Sequence, residues 1–148
     1  MEREVSPISL VRVILLVKVP LLAIVDDDDD VREALSDLLL VVDLPCRTFD
    51  RAEALLAEYE PGLFDCIITD MRMPGMGGLG LLRRLSRFDA AVPVIVVTSD
   101  AGPQTRLQAL DCGAHAYLIK PIEDHVLIGH IKSALARDDN GQKRGPNG

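Results

Sequence analysis

Short apolar runs alternate along this chain with segments whose apolar residues recur every three or four positions. Leu21-Leu22-Ala23-Ile24-Val25 opens the pattern and reads as a fully buried strand. Val31, Ala34, Leu35, Leu38 and Leu39 follow at helical spacing, behind Asp28 to Asp30, which suit a helix cap and first turn. Residues 46–49 form a second strand, and Asp50 is expected to cap a helix carrying Ala52, Leu55 and Leu56. Residues 66–69 make a third strand ending at Asp70, and Leu79, Leu82 and Leu85 mark the third helix. A fourth strand over 92–97 runs into Thr98-Ser99-Asp100, before a short helix with Leu107 and Leu110. The fifth strand, 116–119, ends at Lys120-Pro121, and Leu127, Ile131 and Leu135 give the last helix.

Five β-α units follow from this pattern. Strands so apolar need cover on both faces, which implies an α/β fold with a parallel sheet and helices on each side. Right-handed crossovers put the C-terminal ends of all strands on one edge, where such sheets hold their sites.

Composition narrows the picture without changing it. A chain of 148 residues, 48% hydrophobic, can build one domain with a real core. A net charge of −7 argues against nucleic acid as a direct partner. Cys46, Cys66 and Cys112 share no metal spacing and read as free thiols in a reducing compartment. Residues 1–20 stand apart as an N-terminal extension. Its apolar stretch, 8–19, is broken by Arg12 and Lys18 and is too short to span a bilayer. Nor does it have the basic start and cleavage site of a secretory signal. It reads as an extra edge strand, an adhesive segment, or translation from an early start, the last being preferred. Residues 137–148 read as a disordered polar tail.

The chemistry lies at the strand ends. Asp26 and Asp27 end the first strand, Asp70 the third, Thr98 and Ser99 the fourth, and Lys120 the fifth. Crowded carboxylates repel one another, so a positive group belongs there, and a divalent cation is the natural candidate. An Asp after a strand is most often a turn or cap. It is the conjunction at corresponding strand ends that signals a site.

With these residues in view, the chain resembles the receiver domain of two-component response regulators. The matching text is Ile24-Val25-Asp26-Asp27, Ile68-Thr69-Asp70-Met71-Arg72-Met73-Pro74-Gly75-Met76, Val96-Val97-Thr98-Ser99, and Gly113-Ala114-His115-Ala116-Tyr117-Leu118-Ile119-Lys120-Pro121. It covers residues 21–136, and its Asp-Met-Arg-Met-Pro form looks most like receivers of the nitrogen-fixation transcriptional type. The resemblance implies a flavodoxin-like doubly wound (βα)5 fold with strand order 2-1-3-4-5. It implies Asp70 as phosphoacceptor and Mg2+ as cofactor. The cation would be held by Asp27, Asp70 and the backbone carbonyl of Arg72, with Asp26 acting through water. Lys120 would meet a phosphate oxygen, Thr98 would donate to the phosphoryl group, and Tyr117 would be the aromatic switch. Pro121 would be a cis-proline aiming Lys120.

The implied module is cytoplasmic and takes phosphate from a sensor histidine kinase or phosphotransfer protein. It signals to a downstream protein target, and a homodimer through the fourth helix, fifth strand and fifth helix is a further expectation. It is no enzyme beyond slow self-catalysed phosphorylation and dephosphorylation, and membrane is not an expected partner. Other readings stay open: a receiver cut from a longer transcriptional regulator, with 137–148 as linker, or a degraded structural or dimerisation module. A Mg2+-dependent phosphohydrolase needs a second Asp two residues after the nucleophile, where Arg72 stands.

Outside the family context Tyr117 could be an ordinary half-buried aromatic. His115, His125 and His130 read as surface residues, and Asp29 and Asp30 as helix-starting rather than catalytic. The glycine-rich loop with Gly75, Gly77, Gly78 and Gly80 predicts a frayed start to the third helix. Leu40 and Val41 predict a sticky patch.

Overall fold

The apolar runs form five strands: β1 (Leu22–Val25), β2 (Cys46–Phe49), β3 (Cys66–Thr69), β4 (Val94–Thr98) and β5 (Ala116–Ile119). Between and after them lie α1 (Asp29–Val41), α2 (Ala52–Glu58), α3 (Gly77–Leu85), α4 (Pro103–Asp111) and α5 (Asp124–Asp139). The computed structural model describes residues 19–88 and 92–139, with side chains to 136. The readings of 1–18 and of 140–148 lie outside the described residues. The last helix continues to Asp139, three residues beyond the boundary expected from the pattern.

All strand pairs are parallel, in the order β2-β1-β3-β4-β5, as the resemblance implied. Every residue of β1, β3 and β4 is buried, which explains their unbroken apolar runs. The margin strands β2 and β5 are partly exposed. Alternate residues divide the core into two layers. Leu22, Ile24, Ile68, Ile95 and Val97 pack with Leu39 of α1 and Leu127, Ile131 and Ala134 of α5. Ala23, Val25, Ile67, Val94 and Val96 pack on the other face with Leu55 of α2, Leu81, Leu82 and Leu85 of α3, and Ala109 of α4.

Helix starts follow local chemistry, with one correction. Asp28 caps α1, accepting bonds from the N–H groups of Asp30 and Val31. At α2 the cap is Arg51, in extended conformation and without a side-chain bond, rather than Asp50. The Asp50 carboxylate instead accepts from the Arg51 guanidinium at 3.4 Å. β4 begins at Val94, two residues later than expected, and includes Thr98. Leu40 and Val41 are 75% and 78% exposed, so the expected apolar patch is present. Of the histidines His125 is exposed, while His115 and His130 are half-buried.

Candidate functional site

The C-terminal edge of the sheet brings distant residues together. Asp26 follows β1 and is only 3% exposed. Its Oδ1 accepts the N–H of Asp28 at 2.9 Å, and its Oδ2 meets Lys120 Nζ at 3.2 Å. The same ammonium reaches Asp70 Oδ2 at 3.0 Å. Asp70 Oδ1 accepts the N–H of Arg72 at 3.1 Å. Lys120 therefore joins the ends of β1, β3 and β5, and the peptide bond that follows it, Lys120–Pro121, is cis as expected.

Burial pushes the Asp26 carboxyl above the usual carboxylate range, against the Asp28 N–H and Lys120, which favour its charge. Burial acts on Asp70 in the same sense. There the Thr98 hydroxyl, Lys120 and the Arg72 N–H outweigh it and hold the carboxyl below the ordinary range. Burial opposes the charge of Lys120 too, yet Asp70 and Asp26 hold its ammonium above the usual lysine value. At neutral pH Asp70 is a charged, oriented carboxylate.

Thr98 is fully buried, and its Oγ accepts the N–H of Asp100 at 3.2 Å. Tyr117 is buried too, and its hydroxyl donates to the Asp100 carbonyl at 2.7 Å. Asp70, Arg72, Thr98, Ser99, Asp100 and Ala101 line one cavity. Asp27 is exposed and lines a separate cleft with Asp50, Arg51, Glu53, Pro74 and Gly75. Asp28 is absorbed by helix capping, and Asp29 pairs with Arg32.

Among the described residues, no three His, Cys, Asp or Glu side chains gather as a ready metal cluster. The acidic donors at this edge fit Mg2+ nonetheless. That ion takes one or two carboxylates and keeps several waters, rather than needing an all-protein cage.

Three residues that the sequence pattern gives no role at this site prove to belong to it. Arg32 Nη1 donates to the Asp26 carbonyl at 2.6 Å and so fixes the backbone between the paired aspartates. Asp100 joins Arg72, Thr98 and Tyr117, and its place before Gly102-Pro103 is a turn signal that could have drawn notice. Gly78 lies so close to the site that a Cβ there would stand 2.5 Å from the Asp70 carbonyl oxygen.

A five-unit doubly wound sheet whose C-terminal edge holds an acidic pair, a lone carboxylate, a hydroxyl and a lysine is the arrangement of a receiver-type signalling module. The response regulator receiver domain family matches residues 22–132, and the chain belongs to it. It is 34% identical over 121 residues to the transcriptional regulatory protein FixJ of Bradyrhizobium diazoefficiens, covering 81% of this chain and 58% of that protein. Identity to FixJ of Azorhizobium caulinodans is 38% over 114 residues, 77% of this chain and 54% of that one. The chain thus spans a little over half the length of these relatives. The crystal structure of FixJ-N matches with TM-score 0.74 and 33% identity, over 81% of this chain and 96% of that one. A CheY-like receiver from Methanospirillum hungatei JF-1 matches with TM-score 0.79 and 26% identity, over 84% and 100% of the two chains. No helix among the described residues is long and apolar enough to cross a membrane.

Proposed function

We propose that Asp70 is the phosphoacceptor of this receiver domain. The observation that carries the reading is the Lys120 ammonium, held 3.0 Å from Asp70 Oδ2 and 3.2 Å from Asp26 Oδ2. A carboxylate oxygen of Asp70 attacks the phosphorus of a phosphohistidine. The new P–O bond forms as the P–N bond breaks, and the imidazole, already protonated on its other ring nitrogen, leaves as the neutral ring with the bonding electron pair. Little acid–base work is needed, since such transfers depend on positioning and charge neutralisation. Lys120 offers a point charge to a phosphoryl oxygen, and the Thr98 hydroxyl donates to another. Asp27, Asp70 and the Arg72 carbonyl would hold Mg2+, with Asp26 acting through water. When bound, that ion supplies further neutralisation of the phosphoryl charge.

Arg72 stands where a phosphohydrolase would carry its acid/base Asp, and its side chain is committed to Asp100. Without that acid/base, self-catalysed hydrolysis of the aspartyl phosphate is slow, and slow self-catalysed phosphorylation is part of the same proposal. The receiver unit spans residues 21–136, is cytoplasmic, and accepts phosphate from a sensor histidine kinase or phosphotransfer protein. Its output is contact with a downstream protein, with an effector on the same polypeptide as the alternative, as the FixJ likeness suggests. Leu107, Ile119 and Val126 are exposed on α4, β5 and α5, which favours that face for a homodimer.

Incubation with acetyl phosphate and Mg2+ tests the phosphoacceptor reading. Intact mass should rise by one phosphoryl group, and the gain should disappear in Asp70→Asn. A wild-type chain that gains nothing defeats the reading.

A further inference from the structure

The geometry points to Asp100 as a positioning residue that sets Thr98 and Tyr117 in one inward arrangement, with Arg72 as its lock. The inference rests on the proposed roles of Thr98 and Tyr117 and adds what holds them there.

The Asp100 side chain is fixed from both sides. Its Oδ1 accepts the N–H of Gly102 at 2.9 Å, closing the turn that leads into α4. Its Oδ2 accepts both Nε and Nη2 of Arg72, at 3.1 and 2.9 Å. With the side chain so held, the backbone of Asp100 has little freedom to rotate.

That backbone serves both proposed switch residues. Its N–H donates to Thr98 Oγ at 3.2 Å. A hydroxyl that accepts there keeps its own hydrogen free to turn toward Asp70, which lines the same cavity. The Asp100 carbonyl accepts the Tyr117 hydroxyl at 2.7 Å. One residue thus occupies the acceptor side of the Thr98 hydroxyl and ties the Tyr117 ring, on β5, to the loop after β4. Arg72, two residues after Asp70, ties this assembly to the loop that carries the phosphoacceptor. The guanidinium is mostly exposed, so the lock can yield to a docking partner or to salt.

The chain contains only two tyrosines, Tyr59 and Tyr117, so fluorotyrosine labelling gives two 19F resonances. Tyr59, packed on Phe64 and Phe88 away from this loop, is the internal reference. Full-length labelled protein is examined without any phosphodonor. Wild type should show a solvent-protected Tyr117 resonance. Asp100→Ala should move it to a solvent-exposed position with Tyr59 unchanged. Asp100→Asn, which keeps an acceptor for Gly102, should restore most of the protection. Arg72→Ala should move Tyr117 part of the way.

A Tyr117 resonance equally protected in wild type and Asp100→Ala overturns the inference. Should Asp100→Ala disturb Tyr59 as well, Arg72→Ala decides, because it leaves the loop's own turn intact. An unmoved Tyr117 in that variant overturns the inference. The mass assay with Asp70→Asn reads the phosphoacceptor proposal separately, so the two can fail independently.

Discussion

Asp26 and Asp70 look alike in the chain and differ in the fold. Burial dominates at Asp26 and raises its carboxyl, so its charge destabilises the folded state at neutral pH. A raised acid imposes that penalty above its folded value, and the penalty fades as pH falls toward the ordinary carboxylate value. Asp26→Asn should therefore raise the melting temperature at neutral pH, with a gain that shrinks in acid. A thermal unfolding series from neutral pH down through the carboxylate range checks this, and a gain that grows in acid would contradict it. Asp70 has the opposite sign. Its lowered carboxyl contributes stability above the ordinary carboxylate value, lost as pH falls through the folded one. The aspartates at the strand ends were legible as a group because each follows a buried run. Their division into a raised and a lowered acid was not, since it depends on which carboxylate gathers donors enough to outweigh its burial.

At the scale of elements, strands were the most legible feature, because three of the five are buried on both faces and carry no polar interruption. Helix starts were less so. Asp28 caps α1 as expected, while Asp50 turns to Arg51 and leaves α2 without a side-chain cap. The glycine-rich start of α3 was read as a source of fraying. α3 indeed lacks a side-chain cap, but its glycines differ in kind. Gly77 has φ +74°, in the left-handed region. A Cβ at Gly78 would stand 2.5 Å from the Asp70 carbonyl oxygen and 2.8 Å from Met71 Cα, both backbone atoms. At Gly80 it would stand 2.5 Å from Met76 Cγ, a side-chain rather than a backbone atom, which must turn aside. Gly78→Ala should cost about 1–3 kcal/mol or more by overpacking. Gly80→Ala should be neutral or gain up to about 1 kcal/mol from helix propensity. Denaturant unfolding of the two variants separates them, and equal effects would contradict this account of the loop.

For the whole molecule, the two-layer core leaves the α4-β5-α5 face with exposed Leu107, Ile119 and Val126. That face adjoins β5, whose Tyr117 reaches the loop at Asp100. If phosphorylation is read there, acetyl phosphate should shift the chain toward dimer in light scattering. Ile119→Glu should abolish the shift while leaving phosphorylation intact; a dimer that survives it would place the interface elsewhere. The sheet order and the edge bearing the site were legible from crossover rules and the resemblance. The links through Asp100 and Arg32 were not, because they run through backbone carbonyls and N–H groups, which side-chain identity does not reveal.

In the proposed receiver a single carboxylate, that of Asp70, carries the phosphoryl group. Borohydride reduces an aspartyl phosphate to homoserine, which peptide mass spectrometry locates by residue. After incubation with acetyl phosphate and Mg2+, homoserine should appear at position 70 alone. Homoserine at Asp26, Asp27 or any other acid, with Asp70 unmodified, would contradict the account.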